Sequence, residues 1–292
     1  MKTLLVPVDF SASSNNAVAY SVDLSNDLEL NEIVLIANLY VPLFEQIIPT
    51  PDLIQVSAED IQSRKKMLMQ QFEELKLQLL KKLDPDIIVR IVISEFPLVR
   101  SVLEQVVKAD PCLVIIGSNS YDITEDSIIG RQIIELTKVI PVPVLIVPPK
   151  SSYRPITEAL VACELKSLVN IDSLQRLENI SLWRHPKLLL LNVDGTHRNN
   201  LPGEPSPETK EILSHQLKDF DYQLYNLEDR DILQGVLRFA DDKKVQLIVA
   251  LPGKHSFLYN LTHQNILHGI LANSLKPVLI LKEKTGRTRQ IK

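Results

Sequence analysis

Residues 99–147, VRSVLEQVVKADPCLVIIGSNSYDITEDSIIGRQIIELTKVIPVPVLIV, decide how the rest of the chain is read. Val99, Val102, Leu103 and Val106 recur at the spacing of one helix face. Leu113–Gly117 and Val142–Val147 are short, nearly continuous apolar runs, the pattern of strands covered on both faces. A second helix, starting near Gly130, fits between them. Alternation of this kind builds βαβ units with right-handed crossovers and a parallel sheet. The block then returns 134 residues later. Val99, Val102, Leu103 and Val106 become Leu233, Val236, Leu237 and Ala240; Leu113–Ile116 become Leu247–Ala250; and Pro143–Ile146 become Pro277–Ile280.

Upstream, Thr3–Val8, Ile33–Leu39 and Ile87–Ile93 read as three further strands. Ala17, Ser21, Leu24 and Leu28 line one intervening helix, and Leu68, Phe72, Leu75 and Leu79 another. Ile36–Asn38 recur as Leu190–Asn192 at a shift of 154, so the second copy has lost 20 residues between its second and third strands. The first copy carries the Pro-rich stretch Val41–Asp52 and a long helix there. At 292 residues the chain has room for two domains. They are expected at 1–149 and 156–285, with a linker at 150–155 inside Pro148–Pro155 and a tail at 286–292.

Composition excludes several classes. Hydrophobic residues at 45% and charged residues at 23% suit a folded core rather than disorder. A net charge of -4 argues against a nucleic-acid partner, whose footprint is a basic face. No apolar run reaches the roughly 18 residues of a membrane span, and Met1–Phe10 reads as a strand rather than a signal peptide. Cys112 and Cys163 make no disulfide framework and read as buried thiols in a reducing, cytoplasmic setting. In that setting the sequons at Asn179 and Asn260 carry no weight.

In an open parallel sheet, ligands bind beyond the carboxyl ends of the strands, where strand order reverses. Pro7, Val8 and Asp9 close the first strand, Leu39 the second and Gly117 the fourth, with Gly130 thirteen residues on. An acidic residue there can take a ribose hydroxyl, and glycine lets phosphate approach helix N–H groups. Glycine after a strand is also ordinary turn chemistry.

Leu4–Ser11 followed by an amphipathic helix, and Leu113–Pro148, resemble the opening and close of a universal stress protein domain. Nucleotide-binding members of that family carry G-x2-G-x9-G-[S/T] before a Pro-Val-rich last strand. Here those positions are Gly117, Ser120, Gly130 and Arg131, followed by Pro141–Val147. The resemblance implies two tandem domains, each a five-stranded parallel sheet of the adenine nucleotide α hydrolase-like type. It also implies an ATP site formed by Pro7, Val8, Asp9, Leu39, Gly117, Ser120, Gly130 and Arg131. Ser120 adds a Cβ where backbone should come close, Arg131 replaces a hydroxyl with a cation, and Asp122, Glu125 and Asp126 bring negative charge. In the second half Glu164, Leu251, Lys254, Gln264 and Asn265 stand at the matching positions, without a motif glycine. The expectation is a non-enzymatic stress-response protein with a degenerate site and no cofactor. The alternative is a sensor binding ATP or AMP in the first domain alone.

The remaining constellations are weaker. His255, His263 and His268 lack partners at metal spacing, so no metal is expected. Ser11 or Ser13 reads as a helix N-cap, and there is no G-x-S-x-G, P-loop or G-x-G-x-x-G. The last strands, Pro141–Val147 and Pro277–Leu281, are open edges that would pair with one another inside the chain. Association of two tandem chains into a homodimer is the further expectation.

Overall fold

A computed structural model describes residues 2–27, 30–40, 58–118, 128–163, 186–194, 207–229, 231–251, 269–271 and 273–281. Its strands are β1 (Thr3–Val8), β2 (Glu32–Asn38), β3 (Ile88–Ser94), β4 (Leu113–Gly117), β5 (Val144–Val147), β6 (Glu158–Cys163), β7 (Lys187–Asp194), β8 (Tyr222–Glu228), β9 (Leu247–Ala250) and β10 (Val278–Ile280). The helices, in chain order, are α1 (Ala12–Asn26), α2 (Ala58–Leu80), α3 (Leu98–Ala109), α4 (Ile128–Val139), α5 (Pro207–Gln216) and α6 (Ile232–Asp242).

All ten strands form one sheet in the order β3-β2-β1-β4-β5-β10-β9-β6-β7-β8. From either outer edge inward, the order is third, second, first, fourth and fifth strand of that half. Neighbours run parallel, except that β5 meets β10 antiparallel, with Leu145 opposite Leu279. The parallel strands are apolar on both faces because both are covered. Leu4, Val6, Val8, Ile33, Leu35 and Phe72 belong to the core under α1 and α2. Leu5, Val34, Ile36, Val102, Val106 and Val236 belong to the opposite core under α3 and α6. Each such side chain, fully buried, contributes about 1.5–3 kcal/mol.

Several strand boundaries move from their expected places: Ile33–Leu39 becomes Glu32–Asn38, Ile87–Ile93 becomes Ile88–Ser94, and Pro277–Leu281 narrows to Val278–Ile280. The last strand of the first half begins at Val144 rather than Val142, because Pro141 and Pro143 have no N–H for a ladder. The fourth helix begins at Ile128, near Gly130 as expected, so Gly130 and Arg131 lie in its first turn. The segment joining the halves is held along α1. Asn16 Nδ2 donates to the carbonyls of Pro148 (2.9 Å) and Ser151 (3.1 Å). The Tyr153 ring packs edge-on against Tyr20 at 5.3 Å, and its hydroxyl donates to Asp27.

Candidate functional site

The sheet order reverses between β1 and β4, and their carboxyl ends frame the crevice where this architecture receives ligands. The crevice opens for a reason visible in β1. Cys112 N–H donates to the Thr3 carbonyl at 3.0 Å, so the odd-numbered residues of β1 turn their backbone groups toward β4. Pro7 stands at such a position and has no N–H to give. The β1–β4 register ends at Leu5–Val114, two residues before it.

The first turn of α1 packs against β4 beside this opening. A Cβ placed on Gly117 would lie 2.0 Å from the Ser13 carbonyl oxygen and 3.0 Å from Ser14 N. Gly117 is therefore required by helix-to-strand packing: backbone occupies the space its missing side chain leaves. Ser118, next along, is buried, and its N–H donates to the Val147 carbonyl at 2.9 Å.

The same turn engages Asp9. Ser11 is the N-cap of α1: its extended backbone sets its Oγ to accept from Ser14 N–H at 3.3 Å. Asp9 Oδ1 accepts from Ser11 N–H at 3.0 Å in an Asx turn, and Asp9 N–H donates to Ser14 Oγ at 3.3 Å. The Ser11 and Ser13 hydroxyls lie 3.0 Å apart. Phe10 takes a positive φ of 59°, unusual for a bulky residue, and its ring meets Phe72 edge-on at 4.8 Å. It closes one end of a groove of about 670 Å³ between α1 and α2, floored by Val18, Val22, Leu75 and Leu79.

The other expected residues spread around this turn. Pro7 and Val8 are buried at the end of β1. Leu39 follows β2 half-buried, and its N–H donates to the Ser94 carbonyl at 2.8 Å. Asn38 Nδ2 donates to the Phe96 carbonyl at 2.6 Å, and Ser101 Oγ to Ser94 Oγ at 2.7 Å. These bonds tie the ends of β2 and β3 to the start of α3. Gly130 and Arg131 lie on α4, and Ser120 lies outside the described residues. The structure thus brings Asp9, Leu39 and Gly117 to the same end of adjacent strands. Of the two N-cap candidates, Ser11 holds the cap; sequence reading missed the Ser13 carbonyl's approach to Gly117 and the bond from Asp9 to Ser14, which arise only when α1 folds back. It also missed Asn38 and Ser101, which no motif marks.

In the second half, β9 ends at Ala250 and Leu251 follows, buried at the position matching Gly117. Leucine there is incompatible with the close helix approach seen at Gly117. Glu164, Lys254, Gln264, Asn265, Gly253, His255, His263 and His268 lie outside the described residues. Among the described residues no three His, Cys, Asp or Glu side chains gather at metal-binding distance. Nor is any described helix long and apolar enough to cross a membrane.

The profile of the family described as "Universal stress protein family" matches residues 1–148. No curated protein matches the chain. Among solved structures, a universal stress protein from Archaeoglobus fulgidus superposes with a TM-score of 0.64 at 13% identity, covering 96% of this chain and 98% of that one. A putative universal stress protein from Pseudomonas aeruginosa gives 0.53 at 14% identity, covering 97% and 93%. The cytoplasmic domain of a prokaryotic cation chloride cotransporter gives 0.50 at 9% identity, covering 97% and 95%. At these identities the likenesses establish the fold alone.

Proposed function

The chain belongs to the universal stress protein family, and from that premise we propose that it is a non-catalytic, tandem stress-response protein that acts by binding and interaction, its nucleotide site degenerate in both halves. One observation carries this reading: the Ser13 carbonyl already occupies the space beside Gly117. Survival of that glycine needs no phosphate to explain it, since packing alone demands it. Elsewhere in the motif pattern glycine is absent at Ser120 and, in the second half, at Leu251, Lys254 and Gln264, while Gly130 is kept. Asp9 likewise has a local duty in the Asx turn that starts α1. The residues present do not fit a triphosphate cradle, and no chemical step is assigned to one.

A second reading is favoured by topology. The opening that Pro7 makes between β1 and β4 lies at the switch point, with Asp9 and Leu39 at its rim. On this reading the first domain holds ATP or AMP through its adenosine portion and serves as a sensor.

Titration of ATP by calorimetry, with and without Mg²⁺, into the wild type and Asp9→Ala separates the two. The degenerate-site reading expects no heat, and no rise in melting temperature with excess ATP. Micromolar binding, about -8 kcal/mol, that Asp9→Ala abolishes would replace it with the sensor reading. Nucleotide turnover by the pure protein would overturn both.

A further inference from the structure

We propose that β3 is a self-association edge, along which two copies of this chain pair antiparallel and join their sheets into one. The inference is independent of any nucleotide. Strand β3 ends the sheet order, and among the described residues nothing pairs its outer side. Its polarity can be read from its bonds to β2. Ile88 N–H donates to the Asn31 carbonyl at 2.9 Å, and the Ser94 carbonyl accepts from Leu39 N–H at 2.8 Å. Even-numbered residues therefore face β2, while Val89, Ile91 and Ile93 turn N–H and C=O outward.

Exposed edges are usually protected by proline, lysine, a bulge or an inward charge. Strand β3, IVRIVIS over Ile88–Ser94, has neither proline nor lysine, and its register with β2 is unbroken from Ile88 to Ser94. Its one charge, Arg90, is engaged by Glu32 at 2.7 Å. Apolar surface borders this edge. Ile88 is 56% exposed, and Met69 and Leu80 are 44% exposed. Helical spacing puts Met69 and Leu80 on the flank of α2 away from α1. The α1 side of that helix carries Gln71, Leu75 and Gln78. Lys65, on the opposite flank, reaches Glu95 beyond β3 at 2.7 Å.

A second copy is the occupant that chemistry and continuity favour. The chain already buries one pair of edges by antiparallel pairing, β5 on β10. Repeating that mode about a two-fold axis through Ile91 sets Val89 opposite Ile93 of the second copy, so every outward backbone group on these residues meets a partner. It also sets Arg90 opposite Val92 and Glu95 opposite Ile87, with no like charges facing. The axis lies normal to the sheet, so α2 meets α2 and its exposed flank is covered. Such an isologous contact closes at two copies. The other outer strand is unsuited. Asp219, Asp221, Glu228, Asp229 and Asp231 crowd both ends of β8, and self-pairing centred on Tyr225 sets Asp221 against Asp229.

Sedimentation equilibrium of the full chain at about 5–100 µM tests this, with Ile88→Lys on β3 and Gln223→Lys on β8. The expected result is a doubled mass for the wild type and Gln223→Lys, and a single-chain mass for Ile88→Lys with an unchanged melting temperature. A wild type that stays single at every concentration overturns the proposal, as does a dimer that Ile88→Lys leaves intact. Should Ile88→Lys fail to fold, hydrogen exchange of the wild type decides. Concentration-dependent slowing at Val89, Ile91 and Ile93 supports the edge, and unchanged rates there overturn it.

Discussion

Gly117 and Leu251 occupy equivalent places, each at the carboxyl end of the fourth strand of its half, and differ in what they bring to it. At Gly117 a helix turn comes so close that a methyl group would meet backbone. At Leu251 a buried side chain fills the corresponding volume. The same contrast runs through the second crossover. The 23-residue α2 joins β2 to β3 and buries Phe72 completely, whereas the 10-residue α5 joins β7 to β8 and is anchored by Leu213. The two halves share one strand order, and their second crossovers differ in helix length and packing. Strand order depends on which apolar faces must be covered, while crossover packing depends on individual side chains and tolerates replacement.

The largest costs should appear at the crossover anchors. Phe72→Ala is expected to cost about 4 kcal/mol and Leu213→Ala about 3 kcal/mol in urea unfolding, since both are fully buried and leave cavities. Equal or reversed costs would show that the short crossover bears as much of the core as the long one. Next comes the strand-end pair. Gly117→Ala forces a methyl against the Ser13 carbonyl and should cost about 3 kcal/mol, while Leu251→Ala loses buried apolar volume for about 2 kcal/mol. If Gly117→Ala is neutral, the helix turn yields easily and packing does not account for that glycine.

A smaller effect of opposite sign is expected on α3. Gln105 is buried with its Oε1 unpartnered, and the matching residue in the second half is Phe239, packed against the same core. Gln105→Leu should therefore stabilise the protein by about 1 kcal/mol, read as a higher urea midpoint with an unchanged slope. A loss of stability would mean that the amide makes a compensating bond.

The smallest effect is electrostatic and confined to the first half and its linker. Burial raises the Cys112 thiol from 9.0 to about 11, and raises the Tyr20 and Tyr153 phenols above 10.0. The bond from Tyr153 to Asp27 adds to its rise. A native pKa above the unfolded one favours folding while the group stays protonated. That contribution is full below pH 9.0 and is lost as pH climbs through about 11 for Cys112, and higher for the tyrosines. Urea midpoints should fall between about pH 8 and pH 10.5. In a Cys163→Ser background, Cys112 should react slowly with a thiol reagent at about pH 8. Rapid reaction would show that the Cys112 Sγ is not held against the Thr3 carbonyl, which it approaches to 3.2 Å.

Much of the fold was legible because parallel strands are continuous apolar runs and glycine and proline punctuate them. Thr3–Val8 and Leu113–Gly117 were placed to the residue. Strand ends were read less well: β2 and β3 shift by one residue, and β5 starts two residues late, after Pro141 and Pro143, which have no N–H for a ladder. The candidate site was legible at Asp9, Leu39 and Gly117, whose positions follow from strand ends. The Ser13 carbonyl's contact with Gly117, and the roles of Asn38 and Ser101, were not, since these partners are distant in the chain and no local pattern announces the contact.

The sequence alone determined the βαβ alternation, the repeat at 134 and 154 residues, and the loss of a motif glycine at Ser120, because periodicity and residue identity are local properties. Only the tertiary structure decided what Gly117 is for and where Pro7 opens the sheet. It also decided which strands remain outermost. Each depends on backbone atoms from segments distant in the chain meeting within a few ångströms, and no spacing along one strand encodes that meeting.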